Sequence, residues 1–81
     1  MNDVSDYFIT HHFLERYVYR FNDNRLENIF KRIEQMKKPT AQQYNRIKKS
    51  CGLKSRNNYR VDGDLVVVIV NNVLVTCWRL P

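Results

Sequence analysis

Leu65-Val66-Val67-Val68-Ile69-Val70 is an unbroken apolar, mostly β-branched run between Asp62-Gly63-Asp64 and Asn71-Asn72, and it restricts the fold more than any other stretch. Successive side chains of a strand point to opposite faces. A strand made of these residues is therefore apolar on both sides, which suits a central strand covered by helices on one face and partly sheltered on the other. Asp62-Gly63 and Asn71-Asn72 carry hairpin-turn chemistry, so residues 58 to 61, 65 to 70 and 73 to 80 read as three strands of an antiparallel meander. On the last of these, alternation puts Leu74, Thr76, Trp78 and Leu80 on one face and Val73, Val75, Cys77 and Arg79 on the other. Both rows hold large apolar groups, so alternation does not choose the face that meets the helices.

The first half of the chain follows a helical period. At 100° per residue Phe13, Leu14, Tyr17, Val18 and Phe21 share one apolar arc, predicting a helix over residues 11 to 21 with the Thr10 hydroxyl as its cap. Tyr7, Phe8 and Ile9 before it are β-prone, so residues 7 to 10 are a candidate edge strand, and residues 1 to 6 are expected to fray. Asn22, Asp23 and Asn24 supply turn chemistry. Leu26, Ile29, Phe30, Ile33 and Met36 then predict a second helix over residues 24 to 37, stopped by Pro39. Thr40-Ala41-Gln42-Gln43 matches a capping box, and Tyr44, Ile47 and Cys51 give a narrow apolar stripe up to Gly52, predicting a third helix over residues 41 to 51. The expected architecture is α+β, a single domain over residues 1 to 81, with N-terminal helices packed on a C-terminal antiparallel meander of three to four strands. Phe13, Leu14, Tyr17, Val18, Leu26, Ile29, Phe30, Ile33, Ile47, Val67 and Ile69 are expected to dominate the core.

Charge narrows the partner. The formal net charge is +6 and the isoelectric point about 9.6, which favours a polyanion, nucleic acid before membrane. The positive charge is concentrated: residues 37 to 60 contain eight Lys or Arg and no Asp or Glu, whereas the first 36 residues hold five basic and six acidic side chains. Lys48, Lys49, Lys54, Arg56 and Arg60, with Tyr59 among them, resemble a surface that tracks phosphates and offers a stacking ring. A solvated charged face is the plain alternative. The longest apolar run is far shorter than a membrane span, and the acidic start lacks the pattern of a signal peptide, so a cytoplasmic protein without membrane contact is expected. Cys51 and Cys77 lack Cys-x-x-Cys spacing and read as reduced thiols, with no metal site and no cofactor expected.

Chemically capable residues collect on the polar side of the first helix. His12, Arg16 and Arg20 recur every fourth residue, beside a second row of His11, Glu15 and Tyr19. Metal-free RNA cleavage needs a base for the 2′-hydroxyl proton, an acid for the leaving 5′-oxygen and fixed positive charge on the phosphorane. A histidine, with an unperturbed pKa of about 6.5, fills either proton role, and arginines, always charged and forked, supply the rest. His12, Arg16 and Arg20 are therefore the candidate catalytic residues. His11 pairs with Glu15 at helical spacing, and these two, with Thr76 and Trp78 on one strand face, are candidates to line a shallow site. Two exposed histidines on a polar helix face, and a Trp78 and Tyr59 that simply pack, are the structural alternatives.

The order His12-x-x-Glu15-Arg16-x-x-x-Arg20 after a short strand, a helical middle, a basic strand and a closing Val-Val-Val-Ile/Val-Leu-Val-Thr meander resembles the small metal-independent ribonucleases of the barnase, EndoU, colicin and RelE group. It is most similar to compact members that begin with a His-x-x-x-Arg helix, over about residues 7 to 80. The resemblance implies an α+β fold, RNA as substrate, ribosome-associated RNA included, a RelE-like toxin role, and an antitoxin or immunity protein as partner. Two other classes fit the same residues: a non-catalytic basic nucleic-acid-binding module, and a small inhibitor or adaptor that binds a host or partner protein.

Overall fold

The computed structural model describes residues 3–50, 52–54 and 56–80. In chain order a 3-10 turn (Val4–Asp6), strand β1 (Phe8–Ile9), helices α1 (His11–Phe21), α2 (Leu26–Gln35) and α3 (Ala41–Ser50), and strands β2 (Asn58–Asp62), β3 (Leu65–Val70) and β4 (Val73–Arg79) make an α+β fold. The sheet order is β1-β4-β3-β2. β2, β3 and β4 form the antiparallel meander. β1 joins its far side parallel to β4, pairing only with Val73 and Leu74, so the four-stranded sheet is mixed. The turns do what their residues suit: Asn71 and Asn72 both take positive φ (49° and 63°), as a two-residue hairpin loop of the primed type requires.

The helix ends follow local chemistry. The Thr10 hydroxyl accepts from Phe13 N at 3.0 Å and donates to Leu74 O at 2.8 Å, so the residue that starts α1 also ties it to β4. Asn22, left-handed at φ 51°, ends it. Thr40 and Gln43 form the reciprocal capping box, Thr40 N donating to Gln43 Oε1 at 2.8 Å and Gln43 N to Thr40 Oγ1 at 3.2 Å. α2 is shorter than its periodicity. It ends at Gln35 because the Lys37 backbone exchanges two hydrogen bonds of 2.8 Å with Val61, and because the residue before Pro39 is driven out of helical geometry. Val4, in the stretch expected to fray, packs on the core from its 3-10 turn.

Both faces of β3 are covered. Phe13, Tyr17, Ile29, Ile33 and Met36 from α1, α2 and the residue after it meet Leu65, Val67, Ile69, Leu74 and Cys77 on one face. On the other, Ile47 of α3 meets Tyr59, Val61, Val66, Val68 and Leu80, with Trp78 half-buried beside them. The expected core needs correction at four positions: Val18, Leu26 and Phe30 are exposed and Leu14 is half-buried. The apolar arcs of α1 and α2 are wider than the strip that meets the sheet, so their flanks stay in solvent. Strict alternation on β4 also fails. The register shifts so that Val68 faces Thr76 while Ile69 faces Leu74, leaving Val75 as an extra residue. This β-bulge puts Leu74 and Cys77 together on the α1 face and Thr76 and Trp78 on the α3 face.

Candidate functional site

A cleft of about 110 Å³ opens on the α3 side of the sheet, lined by Gly52, Lys54, Asn57, Tyr59, Val68, Thr76 and Trp78. Tyr59, Val68, Thr76 and Trp78 come from three adjacent strands, and Gly52, Lys54 and Asn57 form the rim after α3. Tyr59 anchors that rim. Its ring is buried, and its hydroxyl oxygen accepts from Lys54 N at 3.1 Å and Asn57 Nδ2 at 3.3 Å while its O–H donates to Gly52 O at 3.4 Å. The expectation that Tyr59 is a stacking group is thereby corrected: it is a structural post that holds Lys54 and Asn57 at the opening. The Thr76 backbone belongs to the β3–β4 ladder, but its hydroxyl has no hydrogen-bond partner among the described residues and is available to a ligand.

The α1 row reaches this cleft at one point. β1 covers only the first two residues of β4, so among the described residues the outer edge beyond Leu74 has no strand partner. Arg20 crosses that edge. Its Nε donates to Cys77 O at 3.1 Å and its guanidinium lies 4.3 Å over the Trp78 ring. The edge is blunted against other strands, and both terminal guanidinium nitrogens keep their donors. Arg16 and His12 precede Arg20 by one and two turns, about 6 and 12 Å along the axis. Both are exposed. α1 begins at Leu74 and ends beside Arg79, so the helix runs along β4, and of the three residues it is Arg20 that contacts the cleft wall.

The remaining predicted residues divide. His11 and Glu15 pair at 3.4 Å with both side chains mostly in solvent. They stand on a neighbouring row, and Glu15 borders a separate apolar depression with Leu14, Val18 and Tyr19, so they do not line the cleft. Arg60 sits on β2 opposite Val67, on the α1 and α2 face, and folds back to donate to Tyr59 O at 2.8 Å. It too leaves the site. Lys48 and Lys49 are exposed on the last turn of α3, and Arg56 is exposed on the rim. The structure brings together the expected Arg20, Lys54, Thr76 and Trp78 with Asn57, Gly52 and Val68, which were not among the candidates. Gly52 was legible only as a helix stop; its positive φ of 76° bends the chain toward the cleft.

Among the described residues no group of three or more His, Cys, Asp or Glu is placed to hold a metal ion, and no helix is long and apolar enough to cross a membrane. The arrangement offers cationic and neutral hydrogen-bond groups around an aromatic wall. Comparison with protein-family models, curated proteins and solved structures gave no match.

Proposed function

We propose that this protein is a metal-independent ribonuclease of the RelE-like toxin type. The observation that carries the reading is Arg20 bridging the sheet edge from the His12, Arg16, Arg20 row to Trp78 in the cleft wall. A nucleotide with its base at the cleft would lay the adjoining phosphate along that row. His12 accepts the 2′-hydroxyl proton as the 2′-oxygen bonds to phosphorus. The bond from phosphorus to the 5′-oxygen then breaks, and the leaving oxygen takes a proton from solvent, giving a 2′,3′-cyclic phosphate and a free 5′-hydroxyl. Arg16 and the terminal nitrogens of Arg20 stabilise the negative charge that develops on the phosphorane. Lys48, Lys49, Lys54 and Arg56 hold the rest of the RNA by its phosphates. On this reading the protein acts in the cytoplasm, and an antitoxin or immunity protein restrains it.

The test is cleavage of total RNA by purified protein in EDTA. His12→Ala should slow cleavage by roughly 10²- to 10⁴-fold while the circular-dichroism spectrum and RNA affinity stay close to those of the parent. Arg16→Lys should also slow it, because a point charge does not reproduce a bidentate fork. If the His12 variant cuts as fast as the parent, the catalytic assignment is wrong and the protein is a basic nucleic-acid-binding module.

A further inference from the structure

We infer that the cleft beside Trp78 selects a single unpaired pyrimidine over a purine. The inference rests on RNA being the ligand and adds which nucleotide the site reads. Size is the first argument. An apolar cavity of about 150 Å³ holds one benzene ring, so a cleft of about 110 Å³ has room for at most one six-membered ring and leaves the second ring of a purine outside. Chemistry is the second. The floor, Val68, is apolar. The free groups at the opening are the Thr76 hydroxyl, which donates and accepts, the Asn57 carbonyl oxygen, left open because Asn57 Nδ2 is committed to Tyr59, and the Lys54 ammonium. Uracil presents an N–H between two carbonyls, and cytosine an amino group beside a ring nitrogen and a carbonyl. Uracil needs one acceptor between two donors and cytosine one acceptor beside two donors, and the three groups at the opening supply one acceptor and two donors to either. A base in a duplex has that edge in use and both faces stacked, so only a splayed base can enter.

Trp78 is the only tryptophan, so its emission reports entry into the cleft directly. The experiment titrates the protein with single-stranded 2′-O-methyl oligonucleotides of equal length in uracil, cytosine or adenine, whose blocked hydroxyl prevents cleavage, and with a duplex. The uracil and cytosine strands should change Trp78 emission and bind roughly tenfold more tightly than the adenine strand, a difference within the range of a single base–aromatic contact. The duplex should bind through charge without changing the emission. Thr76→Val should bring the uracil and adenine affinities together. Equal affinity and equal emission change for adenine overturns the selectivity. Binding of all strands with silent Trp78 removes the base from the cleft while leaving the ribonuclease reading intact. No binding of any strand, with no cleavage of RNA, overturns both.

Discussion

Cys77 sits fully buried where α1 crosses β4, its Sγ 4.0 Å from Phe13 O. Burial pushes its thiol from the ordinary 9.0 up to about 12, against the pull of the Arg20 and Arg32 charges, so the folded protein keeps the proton that the unfolded chain gives up. The folded state then binds more protons than the unfolded state between these two values, and stability must fall as pH rises through them. In guanidinium unfolding at about pH 8 and pH 10, the parent should lose more stability than Cys77→Ala. Equal losses would mean that the thiol ionises freely. Cys77 was legible as a reduced thiol but not as a core residue, just as Tyr59, among basic neighbours, resembled a stacking group. Burial of one side chain depends on which element covers it. For Tyr59 that element is α3, whose place on the second sheet face has no local signature.

At the scale of elements, boundaries were more legible than faces. The capping box and the Asn71-Asn72 loop act within a few residues, and their elements fall where these signals put them, whereas α2 stops at Gln35, short of the Pro39 signal, where Lys37 pairs with Val61. The bulge at Val75 acts across strands. Counting the register from the Asn71-Asn72 turn without it pairs Val68 with Val75 and Val66 with Cys77, which would turn Thr76 and Trp78 toward α1 and leave no cleft. A second device ties the β2–β3 hairpin to the helices. Arg32 donates to Asp62 Oδ2 at 2.9 Å and Asp64 Oδ1 at 3.1 Å, Arg79 reaches Asp64 Oδ2 at 3.0 Å, and both guanidiniums lie over the Phe21 ring. Partial burial pushes the Asp64 carboxyl up, but its bonds to Arg32 and Arg79 outweigh this and hold it below the usual carboxylate range. A depressed carboxylate stabilises the fold above the unfolded pKa, and that contribution is lost as pH falls through the folded value. Asp64→Asn should cost roughly 1 kcal/mol at neutral pH, a modest figure because the site is partly open to solvent. The difference should shrink as acid is added. A cost that does not change with pH would mean that Asp64 acts through shape alone.

At the scale of the molecule, two apolar clusters flank one sheet, and the charge is distributed unevenly over what covers it. α3 buries Ile47 and leaves Lys48 and Lys49 exposed, so the layer over the second face is the positive one, and it continues into the rim that carries Lys54. Arg20 of the α1 row crosses the sheet edge to the same cleft. On the proposed function, base reading and phosphate holding fall to separate residues, and they should separate by experiment. Removing one cation that neutralises a phosphate lowers the slope of log affinity against log salt by about one. Replacing both Lys48 and Lys49 by Glu should weaken binding to every RNA sequence and flatten that slope by up to roughly two. The fold should survive, because neither side chain is buried. The ratio of pyrimidine to purine affinity should also persist if, as inferred, it arises at Thr76, Asn57 and Trp78. An unchanged slope would make these lysines a solvated face and confine RNA binding to the α1 row and the cleft.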